Sequence, residues 1–218
     1  MKSSSKFVIV LAIILVGLGV SFFLYHRSYQ ISKDYRARTS HVLFRVNGDG
    51  YFVRIDDDRR KITVIAFPKE SFDPVRRESL YSERPLTDLE KIENLLDVKA
   101  EMVYYSVLSK DEFGELSRAT LGERYDDFER FLKDLSKRGK HFFDVFSVVS
   151  WSRKLGFSNM NRYALYKFLE KMGTYAVNFY RAPSLTEKPL VIEARGRQFV
   201  RIYLDVEKMR LISEEIKR

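Results

Sequence analysis

Residues 7–25, FVIVLAIILVGLGVSFFLY, form an unbroken apolar run without a charge. As a helix rising 1.5 Å per residue, it spans about 28 Å, close to the thickness of bilayer hydrocarbon. A cleavable secretory signal has a shorter apolar stretch followed by a small-x-small site. Here Phe22, Phe23, Leu24, Tyr25, His26 and Arg27 close the run, so the pattern predicts an uncleaved anchor. The chain then divides into a short tail (1–6), a transmembrane anchor (7–25), a polar juxtamembrane linker (26–39) and one folded domain (40–218). The last block is long enough for one sizeable core and short for two.

Inside the domain the hydrophobic pattern switches between two periods. HVLFRV (41–46), YFVRID (51–56) and KITVIAF (61–67) are β-branched and aromatic runs broken by Asn47-Gly48-Asp49-Gly50 and by Asp56 to Arg60. They read as successive antiparallel strands. Pro68 ends the third, and 69–85 has no period and reads as a loop. Thr87-Asp88-Leu89-Glu90 has the form of a capping box opening a short helix through Leu96. MVYYSVL (102–108) returns to strand character, and Ser109 with Glu112 forms a second box before a helix to about Ala119.

Phe128, Phe131, Leu132 and Leu135 share one helical face, as do Leu165, Phe168, Leu169 and Met172, and both stripes read as core. The segment 142–151 between them reads as helix. Strands follow near 176–180, 190–193 and 199–203, with Arg195-Gly196 as a turn, and Asp205 caps a last helix through Lys217. Strands interleaved with helices point to an α/β or α+β sandwich.

Charge narrows the partners. The chain holds 39 basic against 30 acidic residues, a net charge of +9, and Lys2 and Lys6 precede the apolar run, leaving about +7 on the rest. That balance suits an anionic partner or a surface laced with ion pairs. It leaves the orientation open, because Lys2, Lys6 and the terminal amine face Arg27, Lys33, Arg36 and Arg38 across the anchor. The absence of cysteine removes disulfides, thiol nucleophiles and thiolate metal sites together. His26, His41 and His141 are not at ligand spacing. Asp56, Asp57 and Asp58 read as a strand turn, since the alternating ligands and closing Glu of a calcium loop are missing. No helix follows Gly48 and Gly50 to cradle a phosphate. No G-x-S-x-G, H-E-x-x-H or Walker sequence occurs. One segment stands out: Phe67-Pro68-Lys69-Glu70-Ser71 ends a hydrophobic strand and delivers a cation and a carboxylate side by side. Ligands tend to sit at such strand ends in α/β folds, although a solvated loop is the plainer reading.

The order of these segments resembles the LytR-CpsA-Psr family of membrane-anchored envelope enzymes. RIDDDRRKITVIAFPKES (54–71) is similar to the family's strand, turn, strand and Pro-Arg-Asp signature, with Pro68 in place, Lys69 at the arginine position and Glu70 at the aspartate position. IENLLDVKAEMVYYSVLSKDEFGEL (92–116) resembles its helix ending E-N-L-L, the next strand and the next helix. RYDDFERFL (124–132) looks like the R-I-x-R-Q-Q-x-F-L helix, keeping Arg124 but placing Asp127 and Phe128 where a second arginine and a glutamine would stand. GFSNMNRYALYKFLEKM, VNFYRAPS and GRQFVRIYLDVEKMRLISEEI resemble the elements that close these domains.

The resemblance covers about residues 40–216 and implies an α/β/α sandwich with a mixed central sheet behind one transmembrane helix, N-terminus inside and domain outside the cytoplasm. Family members transfer polyprenyl-diphosphate-linked glycopolymers to peptidoglycan, using arginines, aspartates and a metal ion.

By this resemblance the chain reads as a shortened and degenerate member. Only 117–123 replaces the family's long stretch before the arginine helix, and Asp49, the weak candidate for the metal-binding aspartate, is one position out of register. Lysine offers a point charge where arginine offers a bidentate fork, and Glu70 displaces a carboxylate by about a methylene. The expected site residues are therefore Lys69, Glu70 and Arg124, with magnesium relevant only to an active enzyme. Three readings compete: a non-catalytic envelope protein that binds lipid-linked polymer, cell wall or a membrane partner; an active transferase or pyrophosphatase with an altered site; and a membrane-tethered regulator, which would need a nucleic-acid surface not evident in the sequence.

Overall fold

The computed structural model describes residues 3–139, 152, 155–186, 188–194 and 196–217. Helix α1 (Ser3–Gln30) opens the chain, and a short α2 (Lys33–Arg36) leads into strands β1 (Thr39–Val46), β2 (Asp49–Asp56) and β3 (Lys61–Phe67). The β1–β2 hairpin turns through Asn47 (φ 55°) and Gly48 (φ 96°), so Val46 pairs with Asp49. A two-residue Asn-Gly turn with both φ values positive matches the twist of the strands it joins. The Asp triplet is a turn as expected: Asp56 Oδ1 accepts from the Arg59 amide at 3.1 Å.

Beyond β3 come β4 (Ser71–Asp73), β5 (Glu78–Ser79), α3 (Pro85–Leu96), β6 (Met102–Leu108), α4 (Lys110–Leu121) and α5 (Phe128–Arg138). After them run β7 (Phe157–Ser158), α6 (Arg162–Met172), β8 (Ala176–Arg181), β9 (Leu190–Ala194), β10 (Arg197–Tyr203) and α7 (Val206–Lys217). The main sheet is ordered β7-β6-β1-β2-β3-β8 and is mixed, with β6 and β8 parallel to β1 and β3 and the remaining pairs antiparallel. A smaller sheet runs β5-β4-β10-β9.

Strand alternation sorts the apolar side chains into two cores. Val42, Phe44 and Val46 pack with α4, α5 and α6, while Leu43, Phe52, Ile65 and Phe67 pack with α3 and α7. This is an α/β/α sandwich. Both helical stripes read from the sequence are buried, with Phe131, Leu132, Leu165 and Phe168 wholly inaccessible. Each such side chain contributes about 1.5–3 kcal/mol on burial. Phe44 sits 5.2 Å from both the Phe128 and Phe168 rings, which ties the sheet to α5 and α6.

Two expectations change. The segment 69–85 holds β4 and β5 because β4 pairs with β10, a partner more than a hundred residues away, so no local period announces it. Helix α3 starts at Pro85 rather than behind Thr87: the proline takes the first helical position, and Asp88 turns back to accept from the Ser82 amide and hydroxyl at 2.7 and 2.6 Å. The Ser109–Glu112 box forms as expected. The helix expected over 142–151 lies outside the described residues.

Helix α1 carries the apolar run and is long enough to cross a membrane, and its side chains from Phe7 to Leu24 are largely exposed. Its last turn enters the domain. Tyr29 is fully buried, with its ring 5.2 Å from Tyr163 and 5.0 Å from Tyr166, and His26 Nε2 lies 2.6 Å from the Tyr166 hydroxyl. Within 26–39, then, the chain forms the end of α1 and all of α2. Buried Lys167 of α6 fastens the exit from α2: its Nζ lies 2.6 Å from Asp57 Oδ2, donates to the Ala37 carbonyl, and reaches Ser40 Oγ at 3.3 Å.

Candidate functional site

The parallel strands deliver their C-terminal ends to one edge of the main sheet, where Phe67 of β3 and Arg181 of β8 lie beside Asp49, the first residue of β2. An open cleft of 530 Å³ lies there, lined by Asp49, Tyr51, Pro68, Glu129, Arg181 and neighbouring backbone. Gly50 matters to this edge. Without a Cβ, it lets the Tyr81 hydroxyl lie against the strand and donate to the Phe67 carbonyl at 3.1 Å, and any side chain at Gly50 would collide with that hydroxyl. The turn after β3 is held in turn by Asp49, whose Oδ1 accepts the Lys69 amide at 2.8 Å. The Lys69 side chain folds over Gly48 and is exposed.

Helix α5 brings the other wall. Asp127 caps it by accepting from the amides of Glu129 and Arg130 at 2.8 and 3.2 Å, which sets Glu129 in the first turn facing the cleft. One Glu129 oxygen accepts from Arg181 Nε and Nη2 at 3.2 and 3.1 Å, and the other accepts from Lys133 Nζ at 2.6 Å. Lys133 first, then Arg181, holds the Glu129 carboxyl below the usual range. Tyr51, its ring 4.8 Å from Phe128, has its hydroxyl pushed up to about 12 by burial and by the carboxylates of Asp49, Asp127 and Glu129, so it stays a neutral donor. The charged residues lining this cleft are Asp49, Glu129 and Arg181. An anion entering it meets Arg181 only in competition with Glu129.

No family model and no curated protein matches the sequence. Solved structures do. TagV of B. subtilis aligns over 82% of this chain and 96% of its own, with 12% identity and a TM-score of 0.55. The transcriptional regulator yvhJ of Bacillus subtilis aligns over 82% and 96%, with 11% identity and a TM-score of 0.57. YwtF (TagT), a LytR-CPS2A-psr family protein solved with bound octaprenyl pyrophosphate lipid, aligns over 87% and 93%, with 11% identity and a TM-score of 0.53. The chain has the LytR-CPS2A-psr fold.

Within this LytR-CPS2A-psr fold the residues singled out from the sequence separate. Lys69 and Asp49 meet at the cleft rim. Glu70 turns toward the smaller sheet, its carbonyl accepting the Ile202 amide at 2.8 Å. Arg124 does not line the cleft: its Nη2 donates to Asp111 at 2.6 Å, and its guanidinium lies on the bare backbone of Gly114 in α4. Arg181, Glu129, Lys133 and Tyr51 escaped the sequence reading. The available signal was a charged residue ending the aromatic strand VNFYR directly before Ala182-Pro183.

The carboxylates at the cleft already have partners. Asp49 serves the Lys69 amide, Asp127 caps α5, and Glu129 carries two cations. Among the described residues no three carboxylates or histidines gather at one point.

Proposed function

We propose that this chain is a membrane-anchored cell-envelope protein that binds a polyprenyl-diphosphate lipid or its linked polymer without transferring it. The observation that carries this reading is the double engagement of Glu129. The cations best placed to grip a diphosphate are partly neutralised, which permits binding but withholds the concentrated positive charge that transfer at phosphorus requires. Octaprenyl pyrophosphate bound to YwtF (TagT) supports the ligand class. The exposed apolar α1 supports the anchor, and the side, with the N-terminus inside and the domain outside the cytoplasm, follows from the family resemblance alone. Protease treatment of intact cells tests that side: a domain protected until lysis overturns it.

The ligand is tested with the full-length protein in detergent micelles, titrated with octaprenyl pyrophosphate, while phosphate release is followed with and without magnesium. Saturable binding weakened by Arg181→Ala and by Lys69→Ala, with no phosphate released, is the expected result. Absence of binding would remove the lipid ligand. A second reading, an active transferase or pyrophosphatase, is favoured by one contact, the Asp49 carboxylate holding the backbone amide of Lys69 in the turn beside the cleft that holds Arg181. Phosphate release that saturates with substrate and vanishes in Lys69→Ala would establish it.

A further inference from the structure

We propose that the end of α1, α2 and the first turn of α6 form a surface that lies in the lipid headgroup layer and binds anionic phospholipid; the proposal rests on the reading that α1 spans a membrane. Leu24, 59% exposed, is the last aliphatic residue of the span, and Gln30 ends the same unbroken helix six residues later. At 1.5 Å per residue that is about 9 Å, comparable to the headgroup layer of one leaflet, which is roughly 5–8 Å deep. Whatever is packed on residues 25–30 is therefore held at headgroup level.

The packing is rigid enough for that to matter. Tyr29 is sandwiched against Tyr163 and Tyr166, the Tyr25 and Tyr29 hydroxyls lie 2.7 Å apart, and His26 meets the Tyr166 hydroxyl. The next segment is secured by Lys167 on the Ala37 carbonyl and by Tyr35 donating to Glu170. A swivel would let the domain stand off the bilayer, but this clamp fixes its face toward it.

Charge on this surface complements lipid phosphate. Arg27, Lys33, Arg36 and Arg38 are exposed, and among the described residues no carboxylate pairs with their side chains. Arg162 lies over the Tyr163 ring at 4.8 Å. Two acids lie beside the four exposed cations: Asp34 is turned inward, accepting from the Tyr104 hydroxyl at 2.5 Å and from Asn161 at 3.0 Å, and Glu101 accepts the Arg38 amide at 2.9 Å, so the surface keeps an excess of positive charge. A shallow hollow of 350 Å³ on this surface is lined by Ile31, Lys33, Arg36, Ala37, Glu101 and Met102, with Ile31 56% exposed. Apolar and cationic groups side by side match the boundary between acyl chain and phosphate. Strand β1 begins at this surface and runs about 26 Å to the edge that bears the cleft, so headgroups bound here leave the cleft open.

The chain has no cysteine, so single labels are unambiguous. Spin labels at Leu15→Cys, Ile31→Cys and Leu211→Cys in the full-length protein are read for depth by electron paramagnetic resonance in nanodiscs of phosphatidylcholine with and without phosphatidylglycerol. The expected result places position 15 in hydrocarbon, 31 among headgroups and 211 in water. Phosphatidylglycerol then reduces water access at 31 several-fold, and combined Arg27→Gln, Lys33→Gln and Arg36→Gln substitutions abolish that reduction. A label at 31 as wet as at 211 in both bilayers, with 15 in hydrocarbon, overturns the proposal and leaves the anchor standing. A label at 15 in water overturns the anchor reading and this surface with it.

Discussion

Arg181 of β8 donates two N–H groups to a single oxygen of Glu129 in α5, and this contact closes one side of the cleft. The guanidinium is 80% exposed, so the pair adds little to folding. Its effect is on the charge a ligand meets.

Glu129→Gln keeps the cap of α5 and removes the competing carboxylate. Affinity for octaprenyl pyrophosphate is expected to rise about fivefold, near 1 kcal/mol, in an equilibrium titration, with the melting temperature almost unmoved. An unchanged affinity would take Arg181 out of the ligand's path.

Lys167→Met strands the carboxylate of Asp57 and the carbonyl of Ala37 beside the entrance to β1. Tyr175, which donates to Asp57 at 2.8 Å, compensates in part. Breaking such a buried pair costs about 3 kcal/mol. Chemical denaturation should show it, and an Asp57→Asn, Lys167→Met double variant should recover part of the loss. Equal stability of the single variant and wild type would make the network dispensable.

His41 is fully buried, with Nδ1 2.5 Å from Glu93 Oε1 and Nε2 3.4 Å from Arg54 Nη1. The arginine can only donate, so Nε2 accepts and Nδ1 carries the proton. Burial, assisted by Arg54, outweighs Glu93 and lowers the imidazole's pKa below its usual value. A depressed pKa means that the unfolded chain binds the extra proton first. The contribution is therefore present above pH ~6.5 and lost as pH falls through the folded value. The acid-side decline in melting temperature between pH ~7 and ~5 should flatten in His41→Gln, and an identical decline would assign it to other groups.

Gly114→Ala places a methyl where the Arg124 guanidinium now lies. The flexible end of Arg124 can swing aside, so the helix gains up to about 1 kcal/mol of propensity and loses the exposed pair with Asp111. The double-mutant cycle is decisive: Asp111→Ala should cost a few tenths of a kcal/mol in the wild type and nothing in Gly114→Ala. A cost that persists would mean that Arg124 holds Asp111 by another route.

Features governed by neighbours in sequence were legible. The Asn47-Gly48 turn needs two positive φ values, the Ser109–Glu112 box exchanges hydrogen bonds within one turn, and the stripes of α5 and α6 follow helical period. Half of the cleft rim was legible for the same reason: antiparallel pairing of β2 with β3 sets Gly50 opposite Phe67, which brings Asp49 beside Lys69. The proline that starts α3 and the strand β4 were misread because their partners, Asp88 with Ser82 and β4 with β10, overrode the local pattern.

By itself, then, the sequence determined an apolar span, an α/β alternation, and which faces of its helices and strands are buried, since these follow from period, turn stereochemistry and transfer from water. Only the tertiary structure decided that Arg181 meets Glu129 across 52 residues, that Arg124 turns to Asp111, and that Tyr29 buries itself against α6. A charge or an aromatic ring carries no record of its partner along the chain. The partner is chosen when the packed sheet and helices bring distant side chains within a few ångströms.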